Sequence, residues 1–88
     1  MSEQKLQKKI IDWLKANNYW VVKVMVANRS GVPDILACSP EGMLVAIEVK
    51  YGSNKASPLQ EYNIAEINKR KGIAFVTWDL DTVIAKLS

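Results

Sequence analysis

Three side chains in this 88-residue chain have the types and spacing for chemistry: Asp34, Glu48 and, two positions beyond it, Lys50. In an extended strand residues two apart point to the same face, so Glu48 and Lys50 share one within Met43–Tyr51, where Ala46, Ile47 and Val49 are apolar. Ser39-Pro40-Glu41-Gly42 has turn chemistry, and a hairpin folded about Pro40 to Gly42 would set residue 34 opposite about residue 48. Two carboxylates so placed repel and raise at least one pKa, a conflict that a divalent cation between them resolves. Lys50 beside such a cation would orient or deprotonate an attacking water and offset charge in the transition state, the requirements of phosphodiester hydrolysis. A Glu-x-Lys pair taken alone reads as an exposed strand face carrying a diagonal ion pair; Asp34 beside it is what changes the reading.

Composition narrows the chemistry further. The chain has no histidine and one cysteine, Cys38. Ser-His-Asp and Cys-His catalysis, a zinc knot and an internal disulfide are therefore excluded. Any acid–base or metal chemistry must run on Asp, Glu, Lys and oxygen ligands, which suit a hard cation such as magnesium. The opening MSEQKLQKK has no apolar core of a signal peptide, and no run of eighteen apolar residues occurs, so an intracellular, cytoplasmic protein is expected.

The elements that must position these residues follow from periodicity and capping. Leu6, Ile10, Trp13, Leu14 and Asn17 share a helical stripe, Ser2 can cap it and Glu3 suits the first turn, predicting a helix over about 3–17 that exits at Asn17-Asn18. Tyr19 to Ala27 reads as a strand, Asn28 to Gly31 as a loop, Ile35–Cys38 and Met43–Tyr51 as the hairpin arms, and 52–56 as a flexible link. Ser57-Pro58-Leu59-Gln60 is a capping box with proline at N1, opening a helix to about Lys71 that Gly72 is placed to end. Ile73 to Trp78 is a fourth strand, and Asp79 caps a last helix with Leu80, Val83, Ile84 and Leu87 inward. The predicted fold class is α/β, in the order α-β-β-β-α-β-α.

The net charge of +3 is unevenly spread. Residues 1–33 carry Lys5, Lys8, Lys9, Lys15, Lys23 and Arg29 against Glu3 and Asp12, whereas the remainder is slightly acidic. Such a basic third can draw in a phosphate backbone, although a lysine-rich helix is more often just a solvated surface, so charge alone decides nothing. A chain of this length makes one domain and buries only about 60–65% of its unfolded surface, so pairing with a second copy would add burial. Trp13, Trp20 and Trp78 are expected in the core or a dimer interface rather than as base-stacking platforms.

With Gly31-Val32-Pro33-Asp34 followed fourteen residues later by Glu48-Val49-Lys50, the chain resembles the PD-(D/E)xK nucleases, whose restriction-endonuclease-like core has a central mixed sheet flanked by helices. Within them it is most similar to the VRR-NUC family, the virus-type replication-repair nucleases. Its small stand-alone phage and prophage members share the early Glu3, Leu6 and Gln7, the G-x-P-D strand, the E-V-K strand and the Ser-Pro-x-Gln helix start. The resemblance spans nearly all of residues 1–88 as a single nuclease domain.

The resemblance implies that Asp34, Glu48 and the Val49 carbonyl bind magnesium or manganese, that Lys50 acts on the water, that Glu3 approaches the metal and that Gln60 supports the lysine. Glu3 also suits its helix dipole, and Gln60 is already the N3 partner of Ser57. Expected DNA contacts are Lys5, Lys8 and Lys9 from the basic third, and Arg29, Ser30, Asn54 and Lys55 from the loops around the site; a plain loop reading serves the last four equally. Expected is a homodimeric, magnesium-dependent, structure-selective DNA endonuclease resolving four-way (Holliday) junctions. It would act on branched or duplex DNA in the cytoplasm of a bacterium or infected host cell, with no membrane and no small-molecule cofactor. A flap or nicking nuclease with the same site is one alternative. The other is a non-catalytic basic nucleic-acid-binding module.

Overall fold

The computed structural model describes residues 1–88. Its elements run α1 (Glu3–Ala16), β1 (Trp20–Lys23), β2 (Ile35–Cys38), β3 (Leu44–Val49), α2 (Pro58–Lys69), β4 (Ile73–Thr77) and α3 (Leu80–Leu87). The strands form one sheet in the order β1-β2-β3-β4. β1–β2 and β2–β3 are antiparallel and β3–β4 is parallel, with α2 making the crossover. The α-β-β-β-α-β-α order and the mixed sheet are those expected from the sequence.

The core lies on one side of the sheet. Leu6, Ile10 and Leu14 of α1 and Val83 of α3 pack on Ile35, Ala37, Val45, Ile47, Val49 and Phe75. The opposite side carries α2, which packs mainly on β4 and β3. There the cross-strand rows are Trp20, Cys38 and Leu44, then Val22, Leu36, Ala46 and Ala74. Because α2 sits over one end of these rows, the β1 and β2 end is bare, and Trp20 is 66% exposed.

Helix ends hold most of the departures from expectation. Both α1 and α2 close with paired bonds from the two residues after the cap: Asn18 and Tyr19 amides donate to Lys15 and Leu14 carbonyls, and Lys71 and Gly72 amides to Asn68 and Ile67. Asn18 takes the left-handed conformation as its sequence suggested, but at the second helix Lys71 takes it, at φ +73°, rather than Gly72. Gly72 is required for another reason: a Cβ there would lie 2.6 Å from Ile67 Cγ2. β1 is shorter than the apolar run Tyr19 to Ala27, because only one further bond, Val24 amide to Asp34 carbonyl at 2.8 Å, extends the pairing before Met25 and Val26 turn out to solvent. β-propensity over-extended the strand because residues beyond 24 find no neighbouring strand. Of the tryptophans, only Trp13 packs against the core, with Tyr19 beside it at 6.4 Å between ring centroids.

Candidate active site

Ile35 pairs with Ile47, so the residue before one and the residue after the other, Asp34 and Glu48, fall side by side at the end of the hairpin. Asp34 caps that end. Its Oδ2 accepts the Val49 amide at 2.9 Å, fixing the carboxylate against β3. Glu48 points to the α2 side, the opposite face from Ile47 and Val49, and is only 2% exposed. Lys50 lies one alternation further along that face, 14% exposed at its side chain, with Nζ 3.2 Å from Glu48 Oε2.

Gln60 completes the cluster, and its backbone capping role and its site role prove compatible. Oε1 accepts the Ser57 amide at 2.8 Å while the Ser57 hydroxyl accepts the Gln60 amide at 3.2 Å, closing the capping box. That bond orients the carboxamide so that Nε2 donates to Glu48 Oε2 at 3.3 Å. Gln60 thus reaches Lys50 through Glu48, whose Oε2 both side chains share. Glu48 Oε2 collects both donors, whereas Oε1 is buried with no partner.

The Glu48 carboxyl is correspondingly perturbed. Desolvation, then the charge of the neighbouring Asp34, push its pKa from 4.5 up to about 7 against the opposing pull of Lys50. A buried carboxyl with one bare oxygen, next to a second carboxylate, is a pair of hard oxygen donors short of one positive charge.

The remaining residues singled out in the sequence separate into two groups. Arg29 and Ser30 lie in the loop that enters Asp34, and Asn54 and Lys55 in the loop that leaves Lys50, all exposed. Lys5, Lys8 and Lys9 are exposed on α1, across the sheet from Glu48, and Lys8 is tied to Asp12 at 2.8 Å. Glu3 is half-buried in the first turn of α1, and no three His, Cys, Asp or Glu side chains gather into a metal-holding group.

Two supports escaped the sequence reading. Asn63, 7% exposed, donates from Nδ2 to the Ser30 carbonyl at 3.0 Å and ties α2 to the loop before Asp34. Its position three after Gln60 in a helix, on the same face, was the available signal. Gly31 sits beneath that contact at φ +78°, where a Cβ would come within 2.9 Å of Leu59 Cγ and 3.0 Å of Asn63 Nδ2. Trp78 Nε1 donates to the Asn54 carbonyl at 2.8 Å, pinning the loop after Lys50. No local pattern announces that bond, which joins residues 24 apart.

No family model matches the chain, and no curated protein matches it. Among solved structures, one named "VRR_NUC domain" superposes with a TM-score of 0.81 at 30% identity, covering 94% of this chain and 90% of that one. The chain belongs to the VRR_NUC family. A second structure, "VRR_NUC domain protein", shows the same fold with a TM-score of 0.76 at 20% identity, over 97% of this chain and 84% of that one. The protein is therefore a VRR_NUC nuclease domain, and no helix in it is long and apolar enough to cross a membrane.

Proposed function

We propose that this VRR_NUC domain is a divalent-metal-dependent, structure-selective DNA endonuclease that hydrolyses phosphodiester bonds, acting on four-way junctions as a homodimer with magnesium, or manganese in its place. The observation that carries this reading is the bare, buried Glu48 Oε1 beside Asp34. The donor set fits a hard cation: Asp34, Glu48 and the Val49 carbonyl would hold it. When bound, the metal supplies charge that neutralises the two carboxylates and acidifies a water.

The chain's own residues do the rest. The Val49 amide holds Asp34 in place, so the acidic pair is set before substrate arrives. Gln60 and Lys50 hold Glu48 through one oxygen and leave the other open. Lys50, nearly buried, offers an ammonium that can orient a water or stabilise a phosphate oxygen without competition from bulk solvent. Arg29, Ser30, Asn54 and Lys55, on the two loops flanking the pair, are placed for phosphate. Lys5, Lys8 and Lys9 would extend that contact along α1, and Glu3 would act from outside the pair.

A second copy is supported by the β1 edge, where Trp20, Met25 and Val26 are exposed beside an unpaired strand. Two copies related by a two-fold axis would present two catalytic centres to a two-fold substrate. The test is a panel of four-way, flapped, nicked and linear duplexes with magnesium or manganese, together with a solution mass. Cleavage of the four-way junction by a dimer, lost at least about 100-fold in Asp34→Asn and Lys50→Ala and less affected in Glu3→Gln, is expected. Preferred cutting of flaps or nicks overturns the junction assignment. Binding without cleavage by the wild type makes the domain a non-catalytic module.

A further inference from the structure

A groove of about 800 Å³ runs between α2 and the bare end of the sheet, next to the acidic pair. Leu36 and Met43 form part of an apolar floor, Tyr62 stands on the α2 wall, and Arg29, Arg70 and Lys71 supply cations around it. The groove and the candidate active site share a wall. Pro33 lines the groove and precedes Asp34, while Asn63 lines it one helical turn beyond Gln60.

We propose that this groove is a binding site for an unpaired nucleic-acid strand, with a base stacked on Tyr62 and phosphates met by Arg29, Arg70 and Lys71; this rests on the nuclease reading above. An apolar floor does not suit a duplex, whose outer surface is phosphate and sugar. A cationic groove carrying an aromatic ring suits a single strand, whose bases expose apolar faces. Tyr62 is 55% exposed, so its ring is accessible without rearrangement. Arg70 is held by Glu66 at 2.9 Å, whereas Arg29 and Lys71 make no ion pair and are free for phosphate.

Lys71 adds an independent observation. It occupies the left-handed conformation that ends α2, at φ +73°, where glycine carries no steric penalty. A lysine there puts a cation at the groove at the expense of backbone ease. The plain alternative is that Lys71 only balances the negative end of the α2 dipole.

The two are separated by Lys71→Gly and Tyr62→Ala, with binding of a labelled unpaired oligonucleotide and of a duplex followed by fluorescence anisotropy in chelator, where no cleavage occurs. Lys71→Gly should raise Tm by about 4 °C, since the backbone relaxes. It should also weaken single-strand binding and lower the slope of log K against log salt by about 0.7. Tyr62→Ala should weaken single-strand binding by about 10-fold and duplex binding far less. Unchanged single-strand affinity in both variants overturns the proposal. So does a wild-type dimer that Tyr62→Ala converts to monomer, which would make the groove an interface between copies. Cleavage by the wild type with no Tyr62 effect refutes the groove and leaves the nuclease standing. Tyr62-dependent binding with no cleavage in magnesium does the reverse.

Discussion

Replacing Glu48 with Gln keeps the side chain's shape but removes the ionisable group. Glu48 is held by burial, and then by Asp34, from 4.5 up to about 7. Because the native value lies above the unfolded one, the unfolded chain releases this proton first as pH rises. Glu48's contribution is therefore fully present below about 4.5, erodes through the window to about 7, and is gone above it. At about 1.4 kcal/mol per pH unit, ionising Glu48 costs the metal-free native state about 3 kcal/mol across that window. The assay is urea unfolding of wild type and Glu48→Gln in chelator at about pH 4 and about pH 8, where the other titrating groups largely cancel between the two proteins. The stability gap should widen by about 3 kcal/mol in favour of Gln at the higher pH, equivalent to at least about 12 °C in Tm for a domain this size. Magnesium added at about pH 8 should stabilise the wild type and close the gap, because it binds only where the carboxylate is present. A gap independent of pH, or one that opens the other way, refutes the account of Glu48 as a buried carboxyl short of a cation.

Gln60→Ala should cost about 1 kcal/mol in unfolding by breaking the capping box and slow junction cleavage by about 10-fold; loss of stability with unchanged cleavage would reduce Gln60 to a helix cap. Gly31→Ala, which combines a disfavoured φ with contacts of 2.9 Å to Leu59 and 3.0 Å to Asn63, should destabilise by about 2 kcal/mol, read from the urea midpoint. Leu14→Ala, at a fully buried position, should cost about 2–5 kcal/mol and leave a domain of this size near its unfolding threshold, visible as a collapsed thermal transition.

Local signals carried the element order, both N-caps of the longer helices and the pairing of Asp34 with Glu48, because each depends on residues close in sequence or on the period of a strand. Ser57 and Gln60 could be read as a capping box since the motif is complete within four residues. The same locality explains the errors. Tyr19 to Ala27 looks like one strand by composition, yet it stops at Lys23 because a strand ends where its partner does. Gly72 looks like the left-handed residue by type, but α2 ends with Arg70 as its C-cap, so the residue after the cap, which takes that role, is Lys71.

By itself, then, the sequence determined the acidic pair, the lysine beside it and the elements that carry them, through strand alternation and a turn that sets the register. Only the tertiary structure decided that Gln60 reaches Lys50 through Glu48, that Asn63 and Trp78 pin the two flanking loops, and that α2 leaves a cationic groove open beside Asp34. The reason is that these depend on which face of the sheet each helix covers and how far along the strands it sits. Those quantities are fixed by side-chain volumes packed between layers, and no run of neighbouring residues encodes them.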